Sequence, residues 1–89
     1  MPNRKTVYVG SQDVDISLQN SIALIGSSMY SGQAALYVLA GNYNGVGMLK
    51  EILKNNGSSF NISITHKGNF VDTIHVTINN GYTWFVTYL

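Results

Sequence analysis

The sequence predicts a small all-β domain, a β-sandwich of jelly-roll type with about eight short strands. Apolar and polar residues alternate with a period of two along much of the chain, as half-buried strands require. Gly, Asn and Ser clusters interrupt the alternation roughly every 8–12 residues, the spacing of short strands in a sandwich. The 89 residues suffice for one domain with a modest core. We therefore treat residues 1–89 as a single domain, with 1–5 as a flexible N-terminal segment.

The first half of the chain contains four candidate strands. Lys5–Val9 is rich in β-forming residues and stops at Gly10-Ser11, and Val14–Leu18 alternates apolar with polar residues. Two further segments, Ile22–Ile25 and Ala34–Ala40, carry apolar residues at both odd and even positions, so both faces of each strand are apolar. We expect these two to be central strands, covered on both faces or packed into a subunit interface.

Met48–Lys54 admits two interpretations. It is built from good helix formers, with apolar residues at helical spacing. However, the run is short, no capping residue follows Gly45-Val46-Gly47, and Asn55-Asn56-Gly57 resembles a hairpin turn. We favour a strand and leave a two-turn helix as the alternative.

The last third of the chain has the clearest strand signals. Phe60–Thr65 and Phe70–Asn79 alternate around the turn Lys67-Gly68-Asn69, which predicts a hairpin. Asn79-Asn80-Gly81 favours a second tight reversal into Tyr82–Leu89. We expect the three strands to form a meander.

The composition excludes several classes of function. Charged residues make up 10% of the chain and the net charge is +1, so there is no basic field to hold nucleic acid. The apolar stretch Ala34–Ala40 is far shorter than the roughly 20 residues of a membrane-spanning helix. With no cysteine and a small core, the domain is expected to gain stability by association with copies of itself.

Catalytic and metal-binding chemistry has few candidates. His66 and His75 are the only histidines, and we place both on solvated strand faces. Asp13 and Asp15 would share one strand face, where they solubilise an edge strand and resist unwanted pairing. Gly41–Gly47 lacks the Lys-Ser/Thr of a phosphate-binding loop. We expect no enzyme activity, no metal and no cofactor.

The aromatic residues point to contacts between subunits and to a ligand. The last strand carries large apolar groups at both parities, so it is either inserted between two sheets or meets another subunit on one face. For Trp84, core packing and an interface are equally open. Asn42, Tyr43 and Asn44 are the candidate contacts to a sugar, because a loop can expose a ring between hydrogen-bonding amides. The candidate interface residues are Leu36, Val38, Trp84 and Val86.

The Gly-rich middle Ser31–Leu39, followed by Gly45-Val46-Gly47, and the closing strand Gly81–Leu89 resemble the small C-terminal head domains of bacteriophage tail fibres and tail spikes. The resemblance covers the chain from about Val14 onward. It lies in the pattern of short strands and Asn/Gly turns and not in a defined motif. It implies a β-sandwich homotrimer that caps a fibre, assists its assembly or attaches it to a host-surface glycan, in a virion or extracellular setting. A free-standing carbohydrate-binding or adhesion module is the alternative.

Overall fold

The computed structural model describes residues 5–17, 19–28, 34–41, 47–54, 59–68, 70–79 and 81–89. These residues form eight strands in two antiparallel sheets, and they contain no helix, which confirms the predicted all-β sandwich. The strands are β1 (Lys5–Val9), β2 (Gln12–Ser17), β3 (Ile22–Ser28), β4 (Ala34–Gly41), β5 (Gly47–Lys54), β6 (Asn61–Gly68), β7 (Val71–Thr77) and β8 (Thr83–Tyr88). The predicted flexible segment 1–5 lies outside the described residues except for Lys5, which begins β1.

One sheet has five strands in the order β1-β8-β3-β4-β5, and the other has three in the order β2-β7-β6. Ile22–Ser28 and Ala34–Gly41 are therefore interior strands, as their two-faced apolar character predicted. Met48–Lys54 is a strand, because pairing with β4 places Leu49 beside the buried Leu39. The jelly-roll connection of these strands stays a prediction.

The predicted C-terminal meander is wrong in its last strand. β6 and β7 form the expected hairpin, but β8 crosses to the other sheet and inserts between β1 and β3. The reason lies in the composition of β8. A strand with large apolar groups at both parities is least exposed in the interior of a sheet, whereas the end of a meander would be an edge.

The core lies between the inner faces of the two sheets. Trp84 is stacked on Tyr8 with ring centroids 4.5 Å apart and is tilted against Phe60 at 6.3 Å. Its indole Nε1 donates a 2.9 Å hydrogen bond to the Gly10 carbonyl, so the polar edge of the ring has a partner inside the core. In the part of the chain that the structure describes, twelve apolar residues make up this core: Ile16, Ala23, Ile25, Ala35, Tyr37, Leu39, Phe60, Ile74, Val76, Ile78, Trp84 and Val86.

A short reversal joins β1 to β2 and carries the chain from one sheet to the other. Gly10 adopts a φ of 75°, a conformation that a residue with a Cβ rarely takes. Next to it, the Ser11 hydroxyl donates to the Ile78 carbonyl and accepts from the Ile78 amide, at 3.1 and 3.0 Å. These bonds fix β1 beside the end of β7 and so set the position of the β1 edge.

Candidate assembly surface

The outer face of the five-stranded sheet is lined by apolar side chains from all five strands. Strand pairing gives two cross-sheet rows of outward residues. One row consists of Lys5, Thr87, Leu24, Val38 and Lys50. The next row consists of Val7, Phe85, Gly26, Leu36 and Leu53. We call the surface formed by these two rows, together with Met48 and Ile52 of β5, the apolar face.

Exposure on the apolar face is greatest along its two edges. Val7 on β1 is 58% exposed, and Met48 on β5 is 68% exposed. Ile52 and Leu53, at 55% and 47%, lie beside the irregularity in the pairing of β4 with β5. Single exposed apolar residues are ordinary on protein surfaces, but a contiguous set across a whole sheet marks an interaction surface.

Phe85 covers the centre of the apolar face because its neighbour across the strands is a glycine. A Cβ built on Gly26 would lie 2.8 Å from the Ala35 carbonyl oxygen and 3.2 Å from the tip of the Phe85 ring. The Lys5 ammonium lies 4.9 Å from the centroid of the same ring. The tip of the Phe85 ring therefore occupies the space next to Gly26, with the Lys5 ammonium near the ring.

Charge on the apolar face is sparse and of one sign. Among its described residues the only charged ones are Lys5 and Lys50, which occupy opposite ends of one row. Four strand spacings separate them, a distance of about 19 Å. The interior of the face carries no charge that burial would desolvate.

The outer face of the three-stranded sheet is polar. His75 at its centre contacts Asp13 through Nδ1 at 3.1 Å and Thr65 through Nε2 at 3.0 Å. Beside this cluster, Lys67 and Thr73 donate to the two oxygens of Asp15 at 2.7 and 2.6 Å. These hydrogen bonds, that of Lys67 foremost, hold the pKa of the Asp15 carboxyl below its usual value. The side chains of Asp13, Asp15 and His75 on this face therefore already have hydrogen-bond partners within the chain.

Two further titratable groups lie on the inner side of the sandwich. Asp72 is fully buried, with His66 Nδ1 at 2.7 Å from one carboxylate oxygen and no hydrogen-bond partner among the described residues for the other. The Tyr37 hydroxyl donates to Glu51 at 3.3 Å, and burial, followed by the charge of Glu51, raises the pKa of this phenol. No group of three potential metal ligands occurs within the described residues.

The predicted site residues fall into three groups. Leu36 and Val38 are half-buried on the apolar face, and their role as interface residues stays a prediction. Trp84 and Val86 are 1% and 2% exposed, so they belong to the chain's own core and do not contribute to this face. For Trp84 this is the core alternative left open by the sequence. The predicted sugar contacts Asn42, Tyr43 and Asn44 lie outside the described residues.

Sequence reasoning missed four residues of the apolar face. Val7, Met48, Leu53 and Phe85 were not among the predicted interface residues, although each is a large apolar residue in a predicted strand. The odd or even position of each residue along its strand was the signal in the sequence that could have identified these residues. Phe85 has the opposite parity from Trp84, so assigning Trp84 to the core sends Phe85 outward.

The part of the chain that the structure describes includes no helix with the length and hydrophobicity needed to cross a membrane. No family model matches the chain, and no curated protein matches its sequence. Among solved structures, the fold is similar to part of the tailspike protein of Acinetobacter phage vB_ApiP_P1. That similarity has a TM-score of 0.49 at 10% sequence identity and covers 98% of this chain. The chain spans about a fifth of that tailspike, 21% of its length.

Proposed function

We propose that this domain is a non-enzymatic assembly and receptor-binding module that associates with copies of itself as the cap of a phage tail fibre or similar appendage. One observation carries the proposal: the apolar face spans five strands, is uncharged in its interior and is exposed along its two edges. The resemblance of the sequence to the head domains of tail fibres supplies the setting, a virion or an extracellular surface.

The size of the apolar face supports association. Two rows of outward residues on five strands about 4.8 Å apart outline roughly 24 Å by 14 Å, or about 340 Å². That area falls within the range of the largest apolar patch on a typical monomer, about 300–600 Å², and such a patch is often functional. A specific interface buries about 800 Å² per partner, so stable association must also bury residues around the apolar face.

A trimer suits the placement of charge on the apolar face. With the face turned toward a three-fold axis, each copy contacts two neighbours through the two halves of its face. Lys5 and Lys50 then lie at the rim, where water still reaches them, and the apolar interior becomes buried. The 10% charged composition agrees with a chain whose surface is largely given to contacts.

The receptor-binding part of the proposal rests on the composition of Asn42, Tyr43 and Asn44, which suits a host-surface glycan. Each copy would bind weakly, and several copies in one assembly would supply the avidity. A Tyr43→Ala variant of unchanged oligomeric mass should lose attachment to cells. Unchanged attachment would contradict this part of the proposal and leave assembly unaffected.

Light scattering coupled to size exclusion tests the assembly proposal. The wild-type chain should give about 29 kDa, three times the 9.7 kDa monomer. A double variant on the apolar face, Val38→Gln with Leu53→Gln, should shift the mass toward the monomer, because it places two amides in the buried interface.

The matched control also introduces two glutamines, but on the polar face, as Ser63→Gln with Thr77→Gln, where both residues are exposed on the three-stranded sheet. The control should keep the wild-type mass. A monomeric wild type, or equal loss of mass in both double variants, would overturn the proposal.

A further inference from the structure

The four edge strands of the sandwich differ in how they discourage pairing with another chain. β2 carries the exposed carboxylates Asp13 and Asp15. β5 is paired irregularly and carries three charged residues, and β6 is irregular near Gly68 and carries Lys67. Charges and bulges are the usual protection of a sheet edge. β1 lacks these features in its interior, since its register with β8 is unbroken and its one charge, Lys5, stands at its first residue.

The hydrogen bonds of β1 show which backbone groups its free edge presents. The Gly10 amide donates to the Tyr82 carbonyl at 2.8 Å, so Gly10 faces Tyr82 at the position of a hydrogen-bonded pair, although the Tyr82 amide itself donates to the Asn79 carbonyl. In an antiparallel ladder these pairs alternate, which directs the backbone groups of Thr6 and Tyr8 toward β8. The N–H and C=O groups of Lys5, Val7 and Val9 therefore point away from the sheet.

We propose that β1 pairs antiparallel with β1 of a second copy, centred on Val7. In this register Val7 faces Val7 of the other copy, and Lys5 faces Val9 in both directions. All three residues with outward backbone groups then lie in mutually bonded pairs, which gives six backbone hydrogen bonds. The Gln12 amide already donates to the Val9 carbonyl at 3.0 Å, and that oxygen retains a second lone pair.

Side chains favour the same register. The two copies of Lys5 lie at opposite ends of the paired strands, about 14 Å apart along the strand direction, so the like charges do not meet. At the centre, two β-branched side chains face each other across the pair. A shallow pocket of about 160 Å³, lined by Lys5, Val7, Thr83, Trp84 and Phe85, lies against this edge and offers space to an apolar side chain of the second copy.

The pairing is isologous and uses the one unprotected edge among the described strands, so through this contact alone it ends at two copies instead of growing into a fibre. It goes beyond the proposed function, because it joins copies through a sheet edge and not through the apolar face. Where both contacts form in one assembly, each β1 edge of the trimer pairs with a further copy, so the mass exceeds that of the trimer alone, about 29 kDa. The two contacts can also be tested separately.

Cysteine cross-linking gives the test, since the chain has no cysteine of its own. In the proposed register the Cα atoms of two facing Val7 residues lie about 5.5 Å apart, within the range of a disulfide. The two copies of Val9 are about 14 Å apart along the strands. Val7 and Val9 are matched in exposure, at 58% and 61%, and both side chains project from the outer face.

In a buffer of oxidised glutathione, Val7→Cys should form a disulfide-linked dimer at least tenfold faster than Val9→Cys. Both variants should keep the wild-type circular dichroism spectrum. Equal rates in the two variants, or no dimer with Val7→Cys, would overturn the edge pairing. The dimer should also form when Val7→Cys is added to the Val38→Gln and Leu53→Gln background, which separates failure of this contact from failure of the proposed assembly.

Discussion

The two sheets of the sandwich share one core but present opposite outer faces. The three-stranded sheet presents Asp13, Asp15 and His75, each paired with a neighbour. The five-stranded sheet presents Phe85, Leu36 and other apolar groups, with charge only at its rim. The difference follows from the strands themselves, because β7 places the polar Thr73 and His75 on its outer side, while β3, β4 and β8 carry apolar residues on both sides. A strand that is apolar at both parities needs a second covered face, and in this chain that face lacks a cover from the described residues.

The largest effect should come from the inner side of the five-stranded sheet. Replacing Trp84 by Ala removes the ring stacked on Tyr8 and should lower the free energy of unfolding by about 3–5 kcal/mol. Replacing its neighbour Phe85, on the outer side, should lower the stability of the isolated chain by only roughly 1–2 kcal/mol. Urea unfolding of the two Ala variants in dilute solution measures the difference. Equal losses would contradict the assignment of inner and outer parity in β8.

A smaller loss should follow from adding one methyl group to the apolar face. Gly26→Ala places a Cβ within 2.8 Å of the Ala35 carbonyl oxygen, so the β3–β4 pair must shift. We expect a loss of about 1–3 kcal/mol in unfolding free energy. A second substitution, Phe85→Ala, should rescue little of it, because the closest contact is with backbone. A variant with the wild-type melting temperature would contradict the close packing at Gly26.

The smallest effect concerns the polar face and depends on pH. The pKa of Asp15 is lowered in the folded chain, so the charged carboxylate contributes stability above its unfolded value of 3.8 and loses it as the pH falls through the folded value. Asp15→Asn should therefore be less stable than wild type near neutral pH and equal to it in strong acid. Added salt should reduce the difference, because the pair with Lys67 is exposed. Unfolding curves near neutral pH and in strong acid measure the difference in stability between Asp15→Asn and wild type. A difference that grows in acid would contradict the pairing of Asp15 with Lys67.

Much of the fold follows from local pattern. The β6–β7 hairpin was predictable because Ile74 and Val76 alternate with polar residues on a strand bounded by turns. The edge role of Asp13 and Asp15 on β2 was predictable for the same reason. The position of β8 was not predictable from the sequence. The meander prediction rested on the turn at Asn79–Gly81, whereas the sheet that β8 joins depends on long-range packing.

The candidate surface was predictable only in part. Apolar residues at both parities indicate that β8 has two covered faces, but not which of Trp84 and Phe85 faces the core. A shift of one residue exchanges the two faces. The pairing of Tyr8 with Trp84, between residues far apart in sequence, decides the choice. Which backbone groups of β1 point away from the sheet likewise depends on its hydrogen bonds with β8, and the sequence alone does not give those bonds.

Hydroxyl-radical footprinting in dilute and concentrated solution tests most directly whether copies of the chain cover the apolar face. Met48 and Phe85 report on that face, while Phe70, 44% exposed at the turn between β6 and β7, reports on the other sheet. As the concentration rises, labelling of Met48 and Phe85 should fall and that of Phe70 should stay constant. Constant labelling of Met48 and Phe85 over the whole range, with no change in mass, would contradict the claim that this face is an assembly surface.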